Sequence, residues 1–257
     1  MASDVKSPTG PRSRADALDE PTCTAADAVL STLATQASRL RTRRGQNIAL
    51  TLEGGEAVFI VLSGAFMLHV TMPDTPRQVV AFFFRGDVLR SSFAPPHANA
   101  TLTSASAAEV WRLRWTVLEG LAAADPALAC FLQDAMATQM ARHAVHVAAI
   151  GQFSGEQRVA TVLTELAMRT GMPTPAGGLM LDMPFSRKDI ADYLGLNSDT
   201  LSRIMSRLRS TGVLGHSERS RALVRDFQAL ARLSPAARSL AEIHRGRRGG
   251  HCQSKLD

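Results

Sequence analysis

The stretch "SRKDIADYLGLNSDTLSRIMSRL", Ser186 to Leu208, constrains the chain more than any other. It consists of two short amphipathic segments joined at a glycine. Ser186, with Asp189 three residues on, is a capping-box-like start: a hydroxyl and a carboxylate satisfy N–H groups that a first helical turn leaves free. Ile190 and Leu194 face inward, and Ala191 is small where a second helix must cross closely. Gly195 permits the positive φ of a tight interhelical turn. Asn197 is a good N-cap for the second helix. In that helix Leu201, Ile204, Met205 and Leu208 fall at i, i+3, i+4 and i+7, a stripe to be buried. Asp199, Ser202, Arg203 and Ser206 take the opposite face at the same spacing.

A helix that hides one side and presents an acid, hydroxyls and a guanidinium near its N-terminal end suits the major groove of DNA. Arginine pairs bidentately with guanine, a carboxylate accepts from cytosine N4, and serine serves as donor or acceptor. A carboxylate weakens non-specific phosphate binding, so its presence argues for sequence reading. The expected base readers are Asp199, Ser202 and Arg203. The expected backbone contacts are Arg187, Lys188, Ser198, Thr200, Ser206, Arg207, Arg209, Arg219 and Arg221, with Arg225 nearby. A formal net charge of +6 agrees with an acidic partner.

The remainder divides by texture. Residues 1–24 are rich in Pro, Ser, Asp and Arg without periodicity and read as a disordered tail. "TAADAVLSTLATQASRLRTR" has Ala28, Leu33, Ala37 and Leu40 near helical spacing, which predicts a short helix. Short Val-, Ile- and Phe-rich runs punctuated by Gly54-Gly55, Ser63-Gly64, "MPDTP" and Arg85-Gly86-Asp87 predict an all-β sandwich or barrel. The first domain therefore spans about 25–125. Asp125 as cap and Pro126 in the first turn open a long helix, 126–151. Its stripe of Leu132, Met136, Met140, His143, Val147 and Ile150 is suited to packing against a second copy, the alternative being packing within its own chain. A helix stopping at Gly171, a short strand in "LMLDMPF", the opening stretch and a hairpin in "GVLGHSERSRALVRD" make a further domain, 152–232. Residues 226 to about 245 have the texture of one or two short helices, and 233–257 is expected to be a basic tail.

The residues "SRKDIADYLGLNSDTLSRIMSRLRSTGVL" resemble the Crp/Fnr family of bacterial transcription regulators, and "FIVLSGAFML" and "FFFRGDVL" are similar to its β-roll strands. The resemblance covers about residues 25–230. It implies an α+β architecture: an N-terminal β-roll like that of cyclic-nucleotide-binding domains, a dimerisation helix, and a C-terminal winged helix-turn-helix. It also implies a cytoplasmic homodimer on a palindromic site, with promoter DNA and RNA polymerase as partners. Fnr- and FixK-like members carry Glu-x-x-Ser-Arg in the recognition helix and favour TTGAT…ATCAA-type sites. Asp199, Ser202 and Arg203 hold those positions here, Asp199 being one methylene shorter than Glu.

Members that bind cyclic nucleotides use Gly-Glu for the ribose and Arg-Ser or Arg-Thr for the phosphate. Gly86-Asp87 and His97-Ala98 stand there instead, and a buried phosphate without its arginine is costly. The three cysteines, Cys23, Cys130 and Cys252, are too few and too scattered for a four-thiolate iron–sulfur cluster. No cofactor or metal is therefore expected. The alternative is a sensor whose β-roll ligand, a small molecule or a haem on His69, His97, His143 or His146, gates DNA binding. No catalytic motif stands out, and no segment is apolar enough to span a membrane.

Overall fold

The structure, a computed structural model, describes residues 33–52, 55–216 and 220–245. Nine strands come first: β1 (Ser38–Thr42), β2 (Asn47–Ala49), β3 (Thr51–Leu52), β4 (Gly55–Ser63), β5 (Ala65–Thr71), β6 (Gln78–Phe84), β7 (Val88–Arg90), β8 (Asn99–Ser104) and β9 (Ala108–Arg114). They form two antiparallel sheets, one ordered β1-β9-β4-β3 with β7 also on β4, the other β2-β8-β5-β6.

The near-continuous apolar runs of β4, β5 and β6 follow from burial on both faces. On β4, Ala57, Phe59 and Val61 point between the sheets with Phe66 and Leu68 of β5 and Phe83 of β6. The alternate residues Val58 and Ile60 face outward against helices. On β5 and β6 the outward residues Met67, Phe82 and Phe84 join the core of the C-terminal part. The period of two thus serves two cores at once. Gly64, at φ +74°, makes the β4–β5 turn, where a Cβ would sit 2.5 Å from the Ala107 carbonyl oxygen.

Helix α1 (Trp115–Ala124) leads into α2 (Pro126–Gln152). The start of α2 is as expected: Asp125 Oδ1 accepts from the backbone N–H of Ala127 at 2.9 Å and of Leu128 at 3.3 Å, with Pro126 in the first turn. The first half of α2 packs Leu128, Leu132 and Ala135 on the β-roll. Helix α3 (Gly155–Thr170) opens on a capping box of Ser154 and Gln157, stops before Gly171, and is buried almost throughout from Val159 to Met168. Around it lie β10 (Met172–Pro173), β11 (Leu179–Asp182), α4 (Arg187–Leu194), α5 (Ser198–Ser210), β12 (Arg221–Val224), α6 (Phe227–Leu233) and α7 (Ala237–His244). Strand β11 lies between β10 and β12 in a small antiparallel wing. Of the expected hairpin, the described residues show β12 facing Leu214 through an antiparallel bridge to Val224, with the Gly215 N–H donating to the Leu223 carbonyl at 2.7 Å and the Arg225 N–H to the Val213 carbonyl at 3.0 Å.

Two expectations are corrected. Of the helix predicted before the β-roll, only Leu33 and Ala34 are helical among the described residues, and Ser38–Thr42 is strand β1 paired along β9. Hydrogen-bonding along the β9 edge outweighs the weak spacing of Ala37 and Leu40. Residues 234–245 of the expected basic tail are packed: α7 buries Leu240 completely and Ser234 Oγ lies 2.8 Å from Thr161 Oγ1. The tail predicted for residues 1–24, together with Ala28, Cys23, Cys252, Arg219 and residues 246–257, lies outside the described residues.

Candidate nucleic-acid interface

The α4–α5 pair is built as its sequence requires. Ser186 Oγ accepts from the Asp189 N–H and Asp189 Oδ2 from the Ser186 N–H, both at 3.1 Å. Helix α4 ends at Gly195 in the left-handed conformation (φ +61°), with the Leu196 N–H donating back to the Ala191 carbonyl at 3.0 Å. Asn197 Oδ1 accepts from the Thr200 N–H at 2.7 Å and starts α5. Leu201, Ile204, Met205 and Leu208 are 6% exposed or less, which fixes the rotation of α5 about its axis. Burial of side chains of this size contributes about 1.5–3 kcal/mol each.

The opposite face of α5 is thereby turned outward. Asp199, Arg203 and Ser206 are exposed and Ser202 is half-buried. The Arg203 guanidinium has no hydrogen-bond or ion-pair partner among the described residues, nor do the guanidiniums of Arg187 and Arg225. The other expected backbone contacts are placed differently. Ser198 is exposed in the first turn of α5. Arg209 Nη2 donates to Ser206 Oγ at 3.1 Å. Lys188 pairs with Asp192 at 3.1 Å, Arg207 with Glu156 of α3 at 3.3 Å, and Arg221 with Asp182 at 3.4 Å. These three pairs are surface contacts worth little, and a phosphate can compete for each cation.

Behind this face, α4 is clamped to the β-roll by the polar residues that open an apolar strand run. Arg77 Nη2 donates to Asp189 Oδ1 at 2.9 Å and to Asp192 Oδ2 at 3.2 Å, and Gln78 donates to the Asp192 carbonyl. Tyr193 stacks on His146 of α2 at 3.9 Å and 11°, and meets Phe82 of β6 at 4.4 Å. Asp189 and Asp192 carried the available signal: two acids close together on one helix face favour a cationic partner.

A second unforeseen cluster joins the parts at depth. Asp87 is 3% exposed and accepts from the Phe84 N–H at 2.9 Å, from Arg142 Nη1 at 3.4 Å, and from Arg169 Nη2. Arg142 also donates to Glu165 Oε1 at 2.6 Å and to the Phe82 carbonyl at 3.0 Å. Arg169 Nη1 and His244 Nε2 lie 3.6 and 3.7 Å from Glu165 Oε1. Asp87, expected where other proteins hold a ribose, is thus engaged by protein groups. Burial pushes the His244 imidazole below its ordinary range.

The outward stripe of α2 is partly as expected. Met140 is 73% and Val147 57% exposed, His143 is exposed, and Met136 and Ile150 are half-buried. Leu132 is the correction: at 4% exposed it belongs to the β-roll core and is turned away from any partner of α2. Among the candidate haem ligands, His97 is exposed and His143 touches Phe93 edge-on. Burial, followed by the nearby His143, lowers His146 to about 4. Among the described residues neither ring nitrogen of the buried His69 has a hydrogen-bond partner. Among the described residues no group of three or more His, Cys, Asp or Glu is placed to hold a metal ion. Nor is any described helix long and apolar enough to cross a membrane.

Residues 157–233 match the Crp-like helix-turn-helix domain. The chain is 32% identical over 178 residues to the nitrogen fixation regulation protein FixK of Azorhizobium caulinodans, covering 69% of this chain and 71% of that one. It belongs to the Crp/Fnr family. The FixK branch is indicated again by the FixK of Rhizobium meliloti, 30% identical over 200 residues, with 75% of this chain and 82% of that one covered. The structure of FixK2 from Bradyrhizobium japonicum, 32% identical, superposes with a TM-score of 0.67 over 78% of this chain and 98% of that one. A CooA mutant from Carboxydothermus hydrogenoformans, 18% identical, shares the fold at a TM-score of 0.66, with 79% of this chain and 94% of that one covered. The chain is accordingly a Crp/Fnr-type transcription regulator, with a β-roll, a long helix and a C-terminal helix-turn-helix. Both FixK relatives are named as regulation proteins.

Proposed function

We propose that this Crp/Fnr protein binds a palindromic TTGAT-N4-ATCAA-like site as a homodimer, with Arg203, Ser202 and Asp199 reading bases. The observation that carries this reading is the buried stripe of α5, which turns those three residues outward together and leaves the Arg203 guanidinium without a partner. Arg187 at the start of α4 and Arg225 beyond the wing are free to hold phosphates, and Lys188, Arg207, Arg209 and Arg221 become so on exchange of their surface partners. The exposed Met140 and Val147 on α2 support pairing with a second α2. Two copies then present two reading helices to half-sites about one DNA turn apart.

The reading includes DNA binding without cAMP and without an iron–sulfur cluster. Supporting it, Asp87 is engaged by two arginines, and Arg90 pairs with Glu56 and lies over the Trp115 ring. The space between the β-roll and α2 beside Phe93, His143 and His146 is about 20 Å³, room for one water. Cys130 is exposed on α2. RNA polymerase is the protein partner in this reading.

The test is selection of DNA fragments by the purified protein without added effector, followed by Arg203→Ala. The wild type should enrich the palindrome. The variant should lose about 1–3 kcal/mol on that site and relax its preference at one base pair per half-site. If Arg203→Ala discriminates the palindrome from a scrambled site as well as the wild type does, Arg203 does not read a base.

A further inference from the structure

A cleft of about 580 Å³ lies where the turns of the β-roll meet the end of α3 and the wing. That volume is in the range of small-molecule sites. It is distinct from the small space between β-roll and α2, and it contains none of the base-reading residues, although it shares Arg221 with the proposed backbone contacts. Its floor is apolar: Phe84 and Met168 are 8% and 6% exposed. Four arginines stand among its polar groups. Arg44, from the β1–β2 loop, and Arg85, from the β6–β7 turn, are both exposed, and neither has a hydrogen-bond or ion-pair partner among the described residues.

Arg169 adds a fixed guanidinium, held over the Phe84 ring at 4.4 Å and tied to Asp87. The one acid among the described lining residues, Asp182, is already paired with Arg221. His244 lines the same cleft at 6% exposed, with its Nε2 3.7 Å from Glu165 Oε1. Two unanswered arginines above an apolar floor, with a third guanidinium and an imidazole in the wall, match a compact anion with an apolar body. Guanidinium groups favour phosphate because their N–H groups meet its oxygens in pairs.

We infer that this cleft binds a phosphate-bearing small molecule, with Arg44 and Arg85 holding the phosphate and Phe84 and Met168 receiving its apolar part. Because the β-roll supplies one wall and the DNA-binding unit the other, an occupant would brace the two in their present arrangement.

The experiment is calorimetric titration of the full chain, free of DNA, with 1-naphthyl phosphate, and with 1-naphthol for comparison. Saturable one-site binding of the phosphate ester is expected, with 1-naphthol much weaker. Arg44→Gln/Arg85→Gln, which touches no partnered residue, should weaken binding about tenfold or more. Arg232→Gln/Arg238→Gln, which removes the same charge away from the cleft, should leave it unchanged. Absence of saturable binding up to about 5 mM overturns the inference. So does an equal loss in both double variants, which would mark a general charge effect. A fall in operator affinity and salt slope in Arg44→Gln/Arg85→Gln would assign the pair to DNA phosphates and overturn it as well. Failure of the base-reading assignment would show only with DNA present, so the two outcomes are separable.

Discussion

Glu165→Gln should cost the folded protein about 3–5 kcal/mol, the penalty for breaking a buried ion cluster from one side. In the wild type Glu165 and Asp87 balance Arg142 and Arg169, and all four side chains are 12% exposed or less. The amide leaves two buried guanidiniums facing one carboxylate. That cost is a third or more of the stability of many domains, which is about 5–15 kcal/mol. Adding Arg142→Met removes the surplus cation and leaves Arg169 with Asp87, a balanced pair. The double variant should therefore be more stable than the sum of the single losses predicts, by about 2 kcal/mol.

Urea unfolding of the four proteins at pH 7.5 measures both quantities. A loss under about 1 kcal/mol for Glu165→Gln, or simple additivity, would refute the view that this cluster is held together by charge balance. Acid provides a check on the sign. Burial raises the Glu165 pKa, but Arg142, His244 and Arg169 outweigh it and hold the carboxyl well below its ordinary value of 4.5. The stabilisation is thus fully present above pH 4.5 and is lost as pH falls toward the folded pKa. Wild-type stability should fall steeply below that point, and Glu165→Gln should flatten the fall.

Gly195→Ala has space, since a Cβ would stand 3.5 Å from Arg158 Nη1, so only the positive φ opposes it. A loss of about 1–2 kcal/mol by thermal or urea unfolding is expected. Met140→Asp/Val147→Asp should shift the protein to monomer in analytical ultracentrifugation and weaken operator binding, with monomer stability unchanged. Leu132→Ala should do the reverse, costing about 2–5 kcal/mol of stability while leaving the dimer intact. His146→Phe should reduce the dependence of stability on pH between the free value of 6.5 and about 4. In that window the unfolded chain takes a proton that the folded His146 refuses, so wild-type stability falls with pH by about 2–3 kcal/mol.

The local signals were legible because they depend on nearest neighbours. Ser186, Gly195, Asn197, Asp125 and Pro126 each satisfy or terminate a helix within a few residues, and each is where its type predicts. The face of α5 was legible because four apolar residues at helical spacing determine which side is free. Long-range competition was not legible. Leu40 has helical spacing but lies beside β9, and Leu132 continues the stripe of Met140 and Val147 but is claimed by the β-roll. The cluster of Asp87, Arg142, Glu165 and Arg169 draws on three separate segments, and no spacing within one segment announces it. Arg77 and Gln78 open a run marked only by its apolar residues, and their targets on α4 are more than a hundred positions away.

The clamp on α4 has a consequence for exchanging parts between relatives. The back of the DNA-reading pair is docked on Arg77 and Gln78, and Phe82 of β6 meets Tyr193 of α4 and Phe185 just before it. A chimaera cut in the loop before α3 would separate these residues from the surface they fit. It would present a correct reading edge on a loose mount. Transplanting DNA specificity within the family therefore requires either the exposed face of α5 alone, or the whole unit together with residues 77–84 of the β-roll.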